Sequence, residues 1–496
     1  MSQYQEICLK LEKNSLLIAT VPLKRKLNNV LDVVTIRKKR SEKEVKKKLY
    51  IKTYGCQMNV YDTERMVDVM APEGYDQVDT PDGADLVVLN TCHIREKAAE
   101  KVYSDIGRIR KMKDKKKNNG EEMVLAVGGC VAQAEGAQIM RRAPIVDMVF
   151  GPQTYHNLPK MVEKSISLKE RGKKSRILDT DLSVDEKFEH LSKKDVKKKS
   201  TAFLTIQEGC DKFCTYCVVP YTRGAEFSRD IEDVMQDAKK LAAAGVVEVT
   251  LLGQNVNAYH GRSKNSDEWG LPELIRQLAK VDGFERIRYT TSHPHDMTDE
   301  LIRVHADVKE CMPYLHLPVQ AGSDKILKAM NRSHDSASYK KIINQLREIK
   351  PDIAISGDFI VGFPGETDED FEETMELVRS VTYAQAYSFK FSPRPGTPAA
   401  IMENQVPEEV KSFRLTRLQA LLKEQQIAFN NSVVGKTLPV LIENTGKTAG
   451  SAFGRSPYMQ AVQVHIGDTS FDDLNGKIFN VNIKEAGPFN IQGVLA

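Results

Sequence analysis

The sequence predicts an α/β protein of three domains: an N-terminal Rossmann-like α/β domain, a central open (β/α)6 barrel and a small C-terminal antiparallel β-barrel. A chain of 496 residues is too long for a single core and should divide into about three domains. From residue 49 to residue 431, compact apolar runs alternate with helical segments, which is typical of parallel sheets. From residue 434 onwards the apolar runs become short and alternating, which indicates an antiparallel barrel.

Residues 1–48 are predicted to be a basic N-terminal extension, with 13 Lys and Arg against 5 Asp and Glu. The rest of the chain has 59 basic against 63 acidic residues, so a nucleic-acid partner could bind only through local patches. The sequence has neither an apolar run as long as a bilayer span nor a secretory signal. We therefore expect a cytoplasmic protein that makes no membrane contact.

The eight cysteines are too sparse for a disulfide framework, which agrees with reduced thiols in the cytoplasm. Two of them, Cys8 and Cys311, are expected to be free thiols. The other six form two sets of three along the chain and are available as metal ligands.

Residues 49–165 are predicted to form the N-terminal domain, in which three cysteines each follow a predicted strand. The segments KLYIKTYGC, ADLVVLNTC and MVLAVGGC end at Cys56, Cys92 and Cys130. Because the carboxyl ends of parallel strands meet at one edge of a sheet, these cysteines could converge there. A single cysteine in such a place is more often simply buried, but three repeats of the placement favour a shared site.

Residues 166–200 are predicted to be a charged linker, because SVDEKFEHLSKKDVKKK mixes charges without periodicity. About six βα units follow in residues 201–431 and predict an open barrel with its chemistry at the C-terminal ends of the strands. Residues 434–496 are predicted to form the small β-barrel.

The first barrel strand leads into Cys210, Cys214 and Cys217, which are spaced CxxxCxxC. A structural zinc site normally closes its coordination sphere with four ligands. A 4Fe-4S cluster held by three cysteines instead keeps one iron free for another ligand. The lack of a neighbouring fourth cysteine therefore favours a cluster with an open iron.

CxxxCxxC at the end of the first strand of a βα barrel resembles the signature of radical S-adenosylmethionine enzymes. The resemblance implies that these cysteines bind a 4Fe-4S cluster, that S-adenosylmethionine chelates its open iron, and that reductive cleavage yields a 5′-deoxyadenosyl radical. It also implies cofactor contacts in later loops at the strand ends. The predicted cofactor-binding residues are Gly253, Gln254, Ser292, Gln320, Ser323, Asp358 and Gly362.

The upstream cysteines narrow the resemblance to the radical S-adenosylmethionine methylthiotransferase family, from residue 49 onwards. The matching segments are TYGCQMN, NTCHIREKA, VGGCVAQ, CVVPYTRG, TSHP and GRSPYMQAV. The resemblance implies that Cys56, Cys92 and Cys130 hold an auxiliary 4Fe-4S cluster and that the C-terminal barrel is an RNA-binding TRAM domain. Candidate RNA contacts are Lys436, Lys447 and Arg455.

Within the family, these segments match the branch that converts N6-dimethylallyladenosine next to the tRNA anticodon to its 2-methylthio derivative. The resemblance then implies a tRNA partner, an unidentified electron donor and an unidentified sulfur source, with no side chain assigned as a catalyst. A methylthiotransferase acting on threonylcarbamoyladenosine in tRNA or on a ribosomal protein stays open as an alternative. A zinc-binding RNA module is a second alternative, but it would not need six βα units. For Arg223, contact with phosphate or cofactor and simple anchoring of its loop are equally compatible with the sequence.

Overall fold

A computed structural model of the chain describes residues 46–93, 96–182 and 199–496. Most of the predicted extension with Cys8, and part of the REKA segment, lie outside the described residues. Lys48–Ala496 form one compact unit. None of the helices in the described part of the chain is long and apolar enough to cross a membrane.

The N-terminal part of this unit is a six-stranded sheet with strand order β2-β1-β3-β4-β5-β6, in which β1, β3, β4, β5 and β6 pair in parallel. The strands are β1 (Lys47–Thr53), β2 (Tyr75–Gln77), β3 (Leu86–Thr91), β4 (Val124–Gly129), β5 (Met148–Phe150) and β6 (Ile177–Asp179). The helices are α1 (Gln57–Met70), α2 (Glu96–Asn118), α3 (Cys130–Glu135), α4 (Ala137–Arg142) and α5 (Leu158–Glu170), with 3₁₀ turns at Ala71–Glu73 and Tyr155–Asn157. Both faces of β3 and β4 are buried, as continuous apolar runs in a parallel sheet require.

The sheet extends beyond the predicted boundary at residue 165. Helix α5 crosses that boundary, and β6, which lies inside the predicted linker 166–200, pairs with β5. The strand ILD has only three residues, follows Arg176 and ends in Asp179, so it carries no apolar pattern that predicts a strand. Of the remaining linker, residues 183–198 lie outside the described residues.

The central part has six parallel strands in two three-stranded sheets, ordered β7-β10-β13 and β14-β15-β16, which meet where Ile287 pairs with Cys311. Its strands are β7 (Thr201–Thr205), β8 (Gln207–Glu208), β9 (Phe227–Ser228), β10 (Glu248–Leu252), β11 (His260–Arg262), β12 (Glu268–Gly270), β13 (Arg286–Thr290), β14 (Tyr314–His316), β15 (Ala354–Val361) and β16 (Gln385–Lys390). This arrangement confirms the open (β/α)6 barrel. Cys311 is a buried free thiol in its core, as predicted.

Helices and short 3₁₀ turns connect these strands. They are α6 (Val219–Arg223), α7 (Ile231–Ala243), α8 (Leu271–Leu278), α9 (Asp299–Asp307), α10 (Asp324–Ala329), α11 (Ser336–Ile349), α12 (Asp368–Val381) and α13 (Glu408–Asn431), with 3₁₀ turns at Val256–Ala258, Pro294–Asp296 and Pro398–Ile401. Helix α13 contacts β15 and β16 and leads into the C-terminal part.

The C-terminal part is a closed barrel of five strands with order β17-β18-β19-β21-β20. It contains β17 (Thr437–Thr445), β18 (Ser451–Arg455), β19 (Ala461–His465), α14 (Phe471–Leu474), β20 (Ile478–Ala486) and β21 (Ile491–Leu495). The predicted barrel is confirmed, with one difference: β19 and β21 are parallel. An odd number of strands cannot alternate direction around a closed barrel, so one neighbouring pair must run in parallel.

Two buried arginines of β13 join this barrel to the central part. Arg286 and Arg288 donate hydrogen bonds of 2.7–3.0 Å to backbone carbonyls of the small barrel, while Glu248 on β10 lies 3.0 Å from Nε of Arg288. The carbonyl acceptors belong to Pro439, Arg455, Ser456 and Pro457. The GRSPYMQAV segment therefore contributes to a contact inside the protein.

We expect Glu248→Gln to destabilise the protein by about 3 kcal/mol, because it removes the buried carboxylate that faces two buried guanidinium groups. The control is Glu268→Gln, which removes the partner of Arg262 in an exposed ion pair and should cost at most about 1 kcal/mol. Urea denaturation of both variants measures the difference. If both variants unfolded at the same urea concentration, the contact of Glu248 with the two arginines would not be what holds the central part and the small barrel together.

Candidate functional site

The three N-terminal cysteines lie at one edge of the sheet, as predicted. They follow β1, β3 and β4, which are neighbours in the sheet. Cys56 directly precedes α1, and Cys130 is the first residue of α3. A helix N-terminus favours the thiolate, which is the form of cysteine that binds a metal.

Gly55 allows Cys92 to approach Cys56 closely. Its φ is +93°, and a Cβ at this position would lie 2.1 Å from Cβ and 2.4 Å from Sγ of Cys92. A larger residue would therefore displace Cys92 as well as strain the backbone. The close approach of Cys92 to Cys56 therefore requires glycine at position 55.

Asn59, which is fully buried, connects the cysteine loops. Its Nδ2 donates to the carbonyl oxygens of Tyr54 at 2.8 Å and Thr91 at 2.9 Å, so it joins the loops after β1 and β3. Its Oδ1 accepts from Sγ of Cys56 at 3.8 Å and from Nη2 of Arg223 at 3.2 Å. Asn59 is part of the TYGCQMN segment, but no sequence pattern predicts these hydrogen bonds, so this role was missed.

The thiols of this set differ in acidity. A hydrogen bond with Cys92 lowers the pKa of Cys56 to about 6, and the charge of Arg223 acts in the same direction, whereas burial opposes the shift. Burial raises the pKa of Cys130. The interaction with Arg223 lowers this pKa, but by less than burial raises it. Arg223 therefore acts on two of the three cysteines.

The second set lies in the loop between β8 and α6. The amide of Cys217 donates to the carbonyl oxygen of Cys214 at 2.9 Å, and Nη1 of Arg332 lies 3.5 Å from Sγ of Cys214. Burial raises the pKa of Cys210 to about 11 and that of Cys217 to about 12. Arg332 is a second residue that sequence reasoning missed, because it lies 118 positions from the cysteine it contacts.

The chemistry of the two cysteine sets is compatible with iron–sulfur clusters. A cubane is held by cysteine thiolates and distributes them over separate iron atoms. Three thiols on converging loops can supply such ligands. Across residues 46–93, 96–182 and 199–496, no group of three His, Cys, Asp or Glu side chains forms a site for a single metal ion.

The predicted cofactor residues lie at the strand ends of the barrel, but they have different environments. Nε2 of Gln254 and Oγ of Ser292 are buried polar atoms without a hydrogen-bond partner among the described residues. Asp358 has a carboxylate oxygen 3.6 Å from Nε2 of His316, and Gln320 has a φ of +81°. Gly253 packs tightly against Gln207, since a Cβ at position 253 would lie 2.4 Å from Oε1 of Gln207. Gln254 and Ser292 are thus the best placed to receive a ligand.

Two of these predicted residues have structural partners. Oγ of Ser323 donates to Asp370 at 2.7 Å. Gly362 has a φ of +71°, and a Cβ there would lie 2.2 Å from Cγ of Lys411, so the glycine is required for packing. All seven predicted residues lie on or after strands, and the sequence alone does not show which of them also have such partners. Thr367 caps α12, because its side chain accepts from the amide of Asp370.

The two cysteine sets lie on either side of one contact between the N-terminal sheet and the barrel. Helix α3, which begins at Cys130, packs against α6, which begins two residues after Cys217. Met58 and Tyr61 of α1 pack against Leu252 at the end of β10, with Cys56 beside them. The sets therefore face a common region.

Comparison with known proteins identifies the family. Residues 48–151 match the model of uncharacterized protein family UPF0004, and residues 204–378 match that of the radical SAM superfamily. Over 454 residues the chain is 56% identical to the tRNA-2-methylthio-N(6)-dimethylallyladenosine synthase of Maricaulis maris (strain MCS10), covering 91% of this chain and 97% of that protein. The chain belongs to the tRNA-2-methylthio-N(6)-dimethylallyladenosine synthase family. This membership confirms the resemblance to radical S-adenosylmethionine methylthiotransferases.

The fold of this family member is also similar to solved structures. One is the radical S-adenosylmethionine methyltransferase TsrM from Kitasatospora setae with cobalamin and a [4Fe-4S] cluster bound, with a TM-score of 0.52 and 14% identity over 72% of this chain and 74% of that chain. The same enzyme with tryptophan and a S-adenosylmethionine analogue also gives a TM-score of 0.52 at 14% identity, over 72% of this chain and 75% of that chain. At this identity the likeness shows the fold alone.

We expect Gly55→Ala to destabilise the protein by about 2–4 kcal/mol, because backbone strain adds to the collision with Cys92. Gly74→Ala is the matched control, since Gly74 has a φ of +81° but no atom within 4 Å of the added Cβ, and it should cost about 1 kcal/mol. Urea denaturation measures both costs, and alkylation of Cys92, followed by mass spectrometry, should speed up only in Gly55→Ala. Equal effects of the two substitutions would contradict the close-approach argument.

Proposed function

We propose that the chain adds a methylthio group to C2 of N6-dimethylallyladenosine next to the anticodon of tRNA, as a sulfur-containing group transferase. One observation carries this proposal: the 56% identity that spans 97% of a synthase named for this product. The radical SAM match over residues 204–378 supports the type of chemistry.

We assign Cys210, Cys214 and Cys217 to the cluster that binds S-adenosylmethionine. The C2–H of an adenine ring is not acidic and carries no leaving group, so acid–base catalysis alone would face a very high barrier. The bound cluster and S-adenosylmethionine supply one-electron chemistry that opens a radical route. For this cluster, Arg332 would orient Cys214 through its hydrogen bond, and Tyr216, packed beside Ala321 and Phe363, would limit access of water.

The buried atoms at the strand ends would position S-adenosylmethionine. Nε2 of Gln254 can donate a hydrogen bond and Oγ of Ser292 can donate or accept one, and both atoms need a partner once buried. Gly253 holds the backbone against Gln207 and so fixes the direction of Gln254. Asp358 on β15 and Gln320 in the loop after β14 remain candidate contacts.

We assign Cys56, Cys92 and Cys130 to the auxiliary cluster. Their position beside the barrel would place the sulfur to be transferred near the carbon radical, which the transfer requires. The tRNA base would have to enter the region between α1, α6 and the end of β10, turned out of its stack. An electron donor and a sulfur source are further partners, and a tRNA substrate together with reduced thiols supports a cytoplasmic location.

Two related substrates are the second candidates: threonylcarbamoyladenosine in tRNA and a ribosomal protein. The identity to a synthase named for 2-methylthio-N(6)-dimethylallyladenosine favours N6-dimethylallyladenosine over both of these substrates. Mass spectrometry of tRNA nucleosides from a deletion strain discriminates among them. Loss of the 2-methylthio derivative of N6-dimethylallyladenosine supports the proposal, whereas unchanged tRNA nucleosides would support the ribosomal protein.

Removing each cysteine set should have a different result. The reconstituted protein should bind about eight iron atoms, and each triple alanine variant about four. The Cys56, Cys92 and Cys130 variant should still form 5′-deoxyadenosine but no methylthio product, whereas Cys214→Ala should form neither. Iron analysis, chromatography and mass spectrometry measure these on one sample.

Cys311→Ala is the matched control, because Cys311 is also a buried thiol but belongs to neither set. It should keep the full iron content. Methylthio product from the variant lacking Cys56, Cys92 and Cys130 would remove the basis for the auxiliary assignment. Stoichiometric zinc without sulfide in the intact protein would instead support the zinc-module alternative.

The small barrel is proposed to contact tRNA through Lys436 and Lys447, which are both exposed. Arg455 is less suited, since it lies 3.4 Å from Glu443 and its carbonyl contacts Arg286. We expect the double variant Lys436→Glu and Lys447→Glu to weaken tRNA binding about tenfold. The slope of log affinity against log salt concentration should fall by the equivalent of one or two phosphate contacts. Filter binding at several salt concentrations measures both.

Point substitutions are preferable to deletion of the small barrel, because deletion would uncover Arg286 and Arg288. Lys309→Glu, an equally exposed site on the central part, is the control and should leave the salt dependence unchanged. The role of the small barrel in RNA binding would be rejected if the double variant and the control bound tRNA alike.

A further inference from the structure

Arg223 connects the two cysteine sets. It is the last residue of α6, which follows Cys217 in the chain, but its side chain reaches α1, the helix that follows Cys56. Its Nη2 donates to Oδ2 of Asp62 at 2.7 Å and to Oδ1 of Asn59 at 3.2 Å. Two residues on α1 thus hold a side chain from the other set's loop.

The guanidinium group is deeply buried and surrounded by anionic groups. Arg223 is 2% exposed, and its two carboxylate partners, Asp62 and Glu208, are fully buried. Although burial opposes it, the charges of Asp62, Cys130 and Glu208 hold the pKa of Arg223 well above its ordinary value. The group therefore stays a cation.

This cation lies beside the N-terminal cysteines. Oδ1 of Asn59 accepts from Nη2 of Arg223 at 3.2 Å and from Sγ of Cys56 at 3.8 Å. The charge of Arg223 acts to lower the pKa of both Cys56 and Cys130. Several groups in the described part of the chain shift the pKa of these two thiols strongly, and Arg223 is the positively charged one among them. The other charged group beside both of them is the carboxylate of Asp62, which has the opposite sign.

We propose that Arg223 is a positioning residue of the auxiliary centre: its guanidinium ties α1, the helix that follows Cys56, to the loop of the other cysteine set and offsets the negative charge of the cluster and its sulfur. This inference rests on the proposed function, because it takes Cys56, Cys92 and Cys130 as cluster ligands. A nearby buried cation stabilises the reduced, more negative form of a cluster. Arg223 should therefore raise the reduction potential of the auxiliary cluster.

The test uses the full chain with Cys210, Cys214 and Cys217 changed to alanine, so that the reconstituted parent carries the auxiliary cluster alone. Arg223→Met and Arg223→Lys are added to this parent, and redox titration followed by electron paramagnetic resonance gives each midpoint potential. We expect Arg223→Met to shift the reduction equilibrium at least tenfold towards the oxidised form, which is about 59 mV for one electron. Arg223→Lys should shift it less, because a lysine keeps the charge but cannot bridge the same three partners.

Arg229→Lys is the matched control. Arg229 is also buried and paired with a carboxylate, Asp237, but neither Cys56 nor Cys130 is among the groups that act most strongly on it. Its substitution should leave the midpoint unchanged. Iron and sulfide content, measured on every variant, shows whether the cluster is present.

The outcomes are distinguishable. A parent that binds no cluster would overturn the proposed function, and the inference with it. A parent that binds a cluster whose midpoint is the same with Arg223→Met or Arg223→Lys as with Arg229→Lys would overturn the inference alone. If Arg223→Met fails to hold iron, the midpoint and spectrum of Arg223→Lys decide, and a shift found equally in Arg229→Lys would show a merely structural effect.

Discussion

The contact between the N-terminal sheet and the barrel depends on one buried cation. Arg223 lies between Asp62 on α1 and Glu208 on β8, and water reaches none of the three side chains to any extent. A buried charge is tolerated only when it is paired, and removing one partner typically costs about 3–5 kcal/mol. Neither part can therefore move far from the other without exposing or unpairing these groups.

The interactions that join the two parts also shape the cysteine loops. Asn59 bonds to the loops that carry Cys56 and Cys92 and to Arg223, and Nε2 of Gln153 donates to the backbone carbonyl of Arg223 at 2.8 Å. Because the same atoms take part in both tasks, the position of the cysteines and the contact between the parts are not independent. The site has the rigidity that a reaction between two centres needs.

Much of this organisation could be predicted from the sequence because it follows from local patterns. Cysteines directly after apolar strands must lie at the same edge of a parallel sheet, and the sheet order confirms this for Cys56, Cys92 and Cys130. Strand β6 was missed because its three residues, the last of them Asp179, carry too little apolar pattern. The role of Asn59 was missed, and that of Arg223 was left open between ligand contact and anchoring of its loop, for another reason: the two residues are 164 positions apart, and no spacing rule links them.

The fold by itself does not determine the reaction. The structures of TsrM share it with TM-scores of 0.52 at 14% identity, and TsrM is a methyltransferase that was solved with cobalamin or with a tryptophan substrate. Function on a shared fold depends on the groups placed at the site. In this chain the groups at the site include the three N-terminal cysteines, the three cysteines of the barrel and Arg223, which reaches α1 from the loop of the barrel cysteines. The chemistry of the protein therefore depends on the contact between its parts as well as on the barrel.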